Sequence, residues 1–119
     1  MSNKIVSINQ LKDIKKKSIK NNKKIVLVHG VFDVIHLGHI EHFKQAKNKG
    51  DILVVSVTLD KYVNKGFNKP YFNVIQRCNF LSHINLIDYV TISKSKSSIA
   101  VIKNLKPDYY CKGQDYVPR

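Results

Sequence analysis

The sequence predicts an α/β fold in three layers, a doubly wound parallel sheet between helices, and three observations carry that expectation. Aliphatic and β-branched runs of strand length recur at residues 25–28, 52–57 and 89–92, without the polar alternation of a sheet face left in water. Between them lie segments whose apolar residues repeat at helical spacing. Gly30, Gly50 and Pro107 punctuate the boundaries, as turn and stop residues do. With 119 residues, the chain has room for one domain with a modest core.

Taken in order, the elements follow from their residues. Residues 8–19 carry Ile8, Leu11 and Ile14 on one side and lysines elsewhere, which reads as an amphipathic helix with a solvated basic face. Residues 1–23 thus form a basic N-terminal helix ahead of a domain at 24–119. A buried strand is expected over 24–29 and ends at Gly30, where the missing Cβ lets the backbone turn and lets a ligand approach closely. The next helix begins near Gly38, with Ile40, Phe43 and Ala46 inward. Gly50 stops it, and a second strand spans 51–58. Val74, Ile75, Phe80, Leu81, Ile84 and Leu86 suit a helix from Asn73 to about Ile87, followed by a strand over 89–92. A last helix runs from Ser97 as N-cap to Asn104, before Pro107 and a short strand near 109–111. The order β-α-β-α-β-α-β is Rossmann-like and directs ligands to the carboxyl ends of the strands.

Composition narrows the function classes. The net charge is +13, but residues 1–24 hold eight lysines against Asp13 alone, so more than half the excess precedes the first strand. That distribution favours a soluble basic surface over a nucleic-acid interface, and a positive field suits a cleft for phosphorylated substrates. Cys78 and Cys111 lie far apart with no C-x-x-C partner, which argues for buried or half-buried thiols rather than a disulfide framework or zinc site. No run is apolar and long enough for a membrane span, and the polar N-terminus lacks the apolar core of a secretory signal. A cytoplasmic location is expected, and oligomeric state is not legible, with a homodimer left open.

The segment from His29 to His39 carries the chemistry. Unpaired N–H groups and the positive end of the helix macrodipole make the start of the helix near Gly38 an anion site. His36 and His39, three residues apart, add directional donors there that can polarise a phosphate oxygen. The spacing alone is common among histidines satisfied by their surroundings; the flanking residues decide. Three segments, His29 to His39, Thr58 to Pro70 and Cys111 to Tyr116, fall at the carboxyl ends of the strands.

The string Gly30-Val31-Phe32-Asp33-Val34-Ile35-His36-Leu37-Gly38-His39 resembles the G-x-F-D-x-x-H-x-G-H signature of the cytidylyltransferase-like nucleotidyltransferases. Val63-Asn64-Lys65-Gly66, Lys69-Pro70 and Gln76-Arg77 follow in the order of the sugar-phosphate branch. Lys112-Gly113-Gln114-Asp115-Tyr116 is similar to the K-G-x-D-Y element of heptose-phosphate adenylyltransferases. The resemblance covers Lys23 to the C-terminus. It implies transfer of a nucleotidyl group from ATP or CTP to a sugar or polyol phosphate with release of pyrophosphate, chemistry dominated by positioning and electrostatic stabilisation.

Carried onto this sequence, the resemblance gives His36 and His39 contact with the triphosphate, and the backbone of Val31 and Phe32 approach to the α-phosphate beside Gly30 and Gly38. Asp33 would brace the loop by accepting backbone N–H bonds. Lys65 would approach the phosphates from the opposite side, and Arg77, at a helix start, would neutralise the triphosphate or the acceptor phosphate. Lys69 stands where this branch commonly has Arg, keeping the charge without the planar fork. Lys112, Gly113 and Asp115 would border the nucleoside. Mg2+ would come with the triphosphate rather than in a carboxylate cage. His42 lies beyond the phosphate site, and His83 reads as structural. The chain stops before the I-S-T-T-like element usual in this superfamily, and similar modules are joined to a sugar kinase domain, so a truncated site is expected. Two competing readings are a CTP-dependent cytidylyltransferase of the glycerol 3-phosphate type and a non-catalytic nucleotide- or nucleic-acid-binding module, the latter signalled by salt-sensitive binding without pyrophosphate release.

Overall fold

A computed structural model describes residues 4–63, 69–95 and 97–112. Four parallel strands, β1 (Ile25–Gly30), β2 (Ile52–Thr58), β3 (Tyr89–Ser93) and β4 (Tyr109–Lys112), lie in the order β3-β2-β1-β4. Helices α1 (Ile8–Lys20), α2 (Leu37–Lys47), α3 (Val74–Ser82) and α4 (Ile99–Leu105) make the connections and the covering layers. The doubly wound sheet expected from the sequence is therefore present. Because β2 and β4 flank β1, the chain winds outward in both directions from β1, and a crevice is expected where the winding reverses. In register, His29 of β1 stands between Ser56 of β2 and Lys112 of β4.

Alternation along β1 explains the two covering layers. Val26 and Val28 enter one core with Phe43, Ala46, Cys78 and Leu81, while Ile25 and Leu27 enter the other with Leu11, Val101 and Leu105. Four consecutive residues of one strand are fully buried because both faces are covered. Cys78 is buried and Cys111 half-buried, both as free thiols. Burial pushes the Cys78 thiol up to about 11, a protonated and unreactive state.

The amino ends of the strands are tied by aspartates. Asp51, just before β2, accepts the Lys24 N–H at 2.8 Å; Asp108, before β4, accepts the Ile25 N–H at 2.7 Å; Asp88, before β3, accepts the Leu53 N–H at 2.7 Å and pairs with Lys47. Gly50 serves this edge as well as the helix end. A Cβ there would lie 2.9 Å from the Val26 side chain and 3.0 Å from the Lys24 carbonyl.

Three boundaries differ from expectation. The N-terminal helix is not a separate basic appendage. Leu11 is fully buried against α4, and Val6 and Lys4 exchange backbone hydrogen bonds of 2.8 Å with Val90, so residues 4–20 belong to the same packed unit. Helix α3 stops at Ser82 instead of near Ile87. The Ser82 hydroxyl donates to the Asn79 carbonyl at 2.7 Å, a local bond that competes with helix continuation, and Ile84 and Ile87 reach the core from a turn. Helix α4 starts after Ser98, whose hydroxyl lies 2.9 Å from the Tyr110 phenol, while Ser97 accepts the Ile99 N–H at 3.4 Å.

Candidate active site at the carboxyl ends of the strands

The first turn of α2 is capped by two imidazoles. His36 is the N-cap, and its Nδ1 accepts the Gly38 N–H at 3.0 Å. His39, three residues on, turns its Nδ1 back to accept the His36 N–H at 3.1 Å. This reciprocal arrangement is ordinarily made by Ser or Thr with Glu or Gln. An imidazole nitrogen that accepts a hydrogen bond carries no proton, so each neutral ring holds its proton on Nε2. The ring centroids are 4.0 Å apart. The H-x-G-H spacing is thus the spacing of a capping box, and it fixes the tautomer of both rings.

His39 is 9% exposed, and its pKa is held down to about 4, chiefly by burial and then by His36 and His42. At neutral pH it is an uncharged donor. Its orientation comes from Phe32, whose ring meets it edge to face at 5.7 Å and packs on Phe43 at 5.5 Å. Phe32 adopts φ 53°, a left-handed conformation that costs a non-glycine residue about 1–2 kcal/mol. Gly30 is explained by the same ring. A Cβ on Gly30 would lie 2.8 Å from it, so the space expected for a ligand is filled by the chain's own Phe32.

Asp33 braces this loop as expected, but against a distant segment. Its carboxylate accepts the Tyr71 N–H at 2.7 Å and the Phe72 N–H at 2.8 Å. Arg77 departs further from expectation. Its side chain is completely enclosed, so it does not present a cation to a phosphate. Instead it donates to the carbonyls of Phe72 (3.0 Å), Val31 (2.8 Å) and Thr58 (2.7 Å) and pairs with Asp60 at 2.6 Å. The cause is local. Strand ends and loops leave carbonyls without donors, and a planar guanidinium satisfies several at once.

Lys69 precedes the Asp33-bound segment, with its Nζ 3.1 Å from the Tyr71 ring centroid. Lys112 closes β4 and is exposed. Lys65, Gly113 and Asp115 lie outside the described residues. The histidine caps, the Val31–Asp33 loop and the Tyr71–Phe72 segment are therefore joined, whereas Arg77 is behind them and Lys112 is across the sheet beside His29.

Several contributors escaped sequence reasoning. His29 Nδ1 lies 3.0 Å from the Ser56 hydroxyl, and Thr58 donates to the Gly30 carbonyl at 3.3 Å. Burial and then Lys112 hold the His29 pKa below the usual imidazole value. Ser56 and Thr58, two apart at the end of an aliphatic strand, were the available signal, because that spacing puts both on one face. Asp60, directly after β2, could have been read as a partner for a buried cation. Among the described residues, no three His, Cys, Asp or Glu side chains group to hold a metal. Asp33 and Asp60 are both engaged, so the residues described do not form a cage for magnesium.

The parallel 3-2-1-4 sheet places the histidine-capped start of α2 at the carboxyl end of β1, where ligands of such sheets bind. The cytidylyltransferase-like family model matches residues 27–119, and the chain belongs to that family. It is 39% identical over 99 residues to the bifunctional protein HldE of Campylobacter jejuni, and 35% identical over 117 residues to the protein of the same name from Geobacter metallireducens. Those matches cover 82% and 97% of this chain but only 22% and 24% of the relatives, so the chain spans about a quarter of their length. The crystal structure of a lipopolysaccharide core biosynthesis protein from Thermoplasma volcanium superposes with a TM-score of 0.69 at 31% identity, covering 74% of this chain and 72% of that one.

Proposed function

We propose that this domain transfers a nucleotidyl group from ATP or CTP to a sugar phosphate of the heptose kind. A phosphate oxygen of the acceptor attacks the α-phosphorus, the bond to the β-phosphate breaks, and pyrophosphate leaves. The observation that carries this reading is the pair of imidazoles locked as Nε2–H donors at the start of α2. Two preoriented donors beside a helix N-terminus match the charge that grows on the α-phosphate and leaving group. The His39 ring is already neutral at neutral pH.

The other roles follow the same logic. Val31 and Phe32 border the α-phosphate, Lys69 and Lys65 hold the acceptor and triphosphate, and Lys112, Gly113 and Asp115 border the nucleoside. Magnesium accompanies the nucleotide and is held by its phosphates. The relatives are called bifunctional and are about four times as long, which supports a module that works joined to a second activity; the sugar kinase expected from the resemblance is our choice for it. Among the described residues no helix is long and apolar enough to cross a membrane, and we place the reaction in the cytoplasm. A pyrophosphate-release screen of ATP and CTP against sugar and polyol phosphates tests the reading. Release with a sugar phosphate, abolished by His39→Ala, is expected; release only with CTP and an alcohol phosphate would move the assignment to the other branch, and nucleotide binding without release would end it.

A further inference from the structure

We propose that Arg77, together with Asp33 and Asp60, is the positioning device of the histidine pair, holding the β1–α2 loop in the one shape that seats the His39 ring. The inference rests on the phosphate-binding reading of that pair.

The contacts form a closed circuit. The Arg77 Nη1 holds the Val31 carbonyl, and the Asp33 carboxylate, two residues further on, holds the N–H groups of Tyr71 and Phe72. The Phe72 carbonyl returns to the Arg77 Nε. One peptide segment is thus gripped by its N–H from the loop and by its C=O from α3. The same guanidinium takes the Thr58 carbonyl and pairs with Asp60, tying both to the end of β2. Only Phe32 lies between the two tethered loop residues. Its left-handed backbone is what remains when Val31 and Asp33 are both held, since strained conformations persist only where their surroundings over-determine them. That backbone sends the Phe32 ring over Gly30 and against His39. Arg77 is enclosed and reaches catalysis through three contacts, without touching a substrate.

Lysine keeps the charge of Arg77 but cannot bond several carbonyls in one plane. The test compares Arg77→Lys and Asp33→Asn with the parent in the full-length protein, by two independent readings. Ring-nitrogen NMR reports the His39 tautomer; kinetics report kcat for pyrophosphate release beside the dissociation constant of the triphosphate. Expected are a mixed or exchanging His39 tautomer in both variants, kcat lower by roughly 30–100-fold and triphosphate affinity within about threefold, the pattern of lost transition-state positioning. Should Arg77→Lys fail to fold, Asp33→Asn, whose carboxylate is nearer the surface, decides alone. An unaltered His39 tautomer would overturn the proposal, whether kcat is retained or triphosphate affinity falls more than tenfold, the latter meaning that Arg77 meets the substrate directly. If the parent releases no pyrophosphate, the functional reading fails, while the NMR comparison still decides the positioning role.

Discussion

At the amino ends of the strands, Asp51, Asp88 and Asp108 each accept a backbone N–H from a neighbouring chain segment. At the carboxyl ends the direction reverses, and Arg77 and Thr58 donate to the carbonyls of Val31, Thr58 and Gly30. The difference follows from strand polarity. A parallel sheet presents unpaired N–H groups where its strands begin and unpaired C=O groups where they end, and buried polar groups require partners. The amino edge is completed within itself by carboxylates. The carboxyl edge adds donors to its carbonyls, with Asp33 accepting from the Tyr71–Phe72 segment, and it adjoins a helix start capped by the two imidazoles. One edge serves stability, and the other holds the Val31–Asp33 loop in a single conformation, the one that the proposed function puts to use.

Substitutions at the two edges should therefore separate activity from stability. His39→Ala should lower kcat by about 10²–10³, equivalent to about 3–4 kcal/mol of barrier, beyond the roughly 1–2 kcal/mol of stability lost with the cap of the His36 N–H, measured by pyrophosphate release at a temperature where calorimetry shows both proteins folded. Gly30→Ala should act on both, because its Cβ meets the Phe32 ring at 2.8 Å. A destabilisation of about 1–3 kcal/mol in denaturant titrations, with a displaced His39 resonance, is expected; an unchanged His39 signal would detach the ring from the site.

The pH dependence has a definite sign. His39 titrates at about 4 in the folded chain against 6.5 when unfolded, so the unfolded state takes up protons first as acid is added. Its contribution is fully present above pH 6.5 and is lost as pH falls toward 4, a loss on the order of 2 kcal/mol after allowance for solvent screening. A His39→Gln variant should show a correspondingly smaller acid destabilisation. At the amino edge, Asp88→Ala removes the acceptor of the Leu53 N–H and the partner of Lys47. It should cost about 1–2 kcal/mol of stability and leave kcat unaltered; a fall in kcat would mean that the two edges are coupled.

The strand and helix periodicities were legible because burial on both faces of a sheet writes itself into consecutive aliphatic residues, as in Ile25 to Val28. The H-x-G-H spacing was legible as a pair of imidazoles at a helix start, whereas its use as a capping box came only from the structure. Arg77 was expected to neutralise a phosphate, whereas the structure encloses it among carbonyls, because nothing local distinguishes an arginine that meets phosphate from one that meets three carbonyls. Gly30 was misread for a similar reason. The missing Cβ was evident, but the group filling its place comes from an unusual backbone turn at Phe32.

From sequence alone came the layer order, the two covered faces of β1 and the histidine pair at a helix start, since each depends on neighbours within a few residues. Tertiary structure alone decided the burial of Arg77 and the reach of Asp33 to Tyr71 and Phe72. Each of these depends on which unpaired N–H or C=O groups meet after the chain has folded, and residues 38 or 46 positions apart become neighbours only when a shared sheet brings their loops to the same edge.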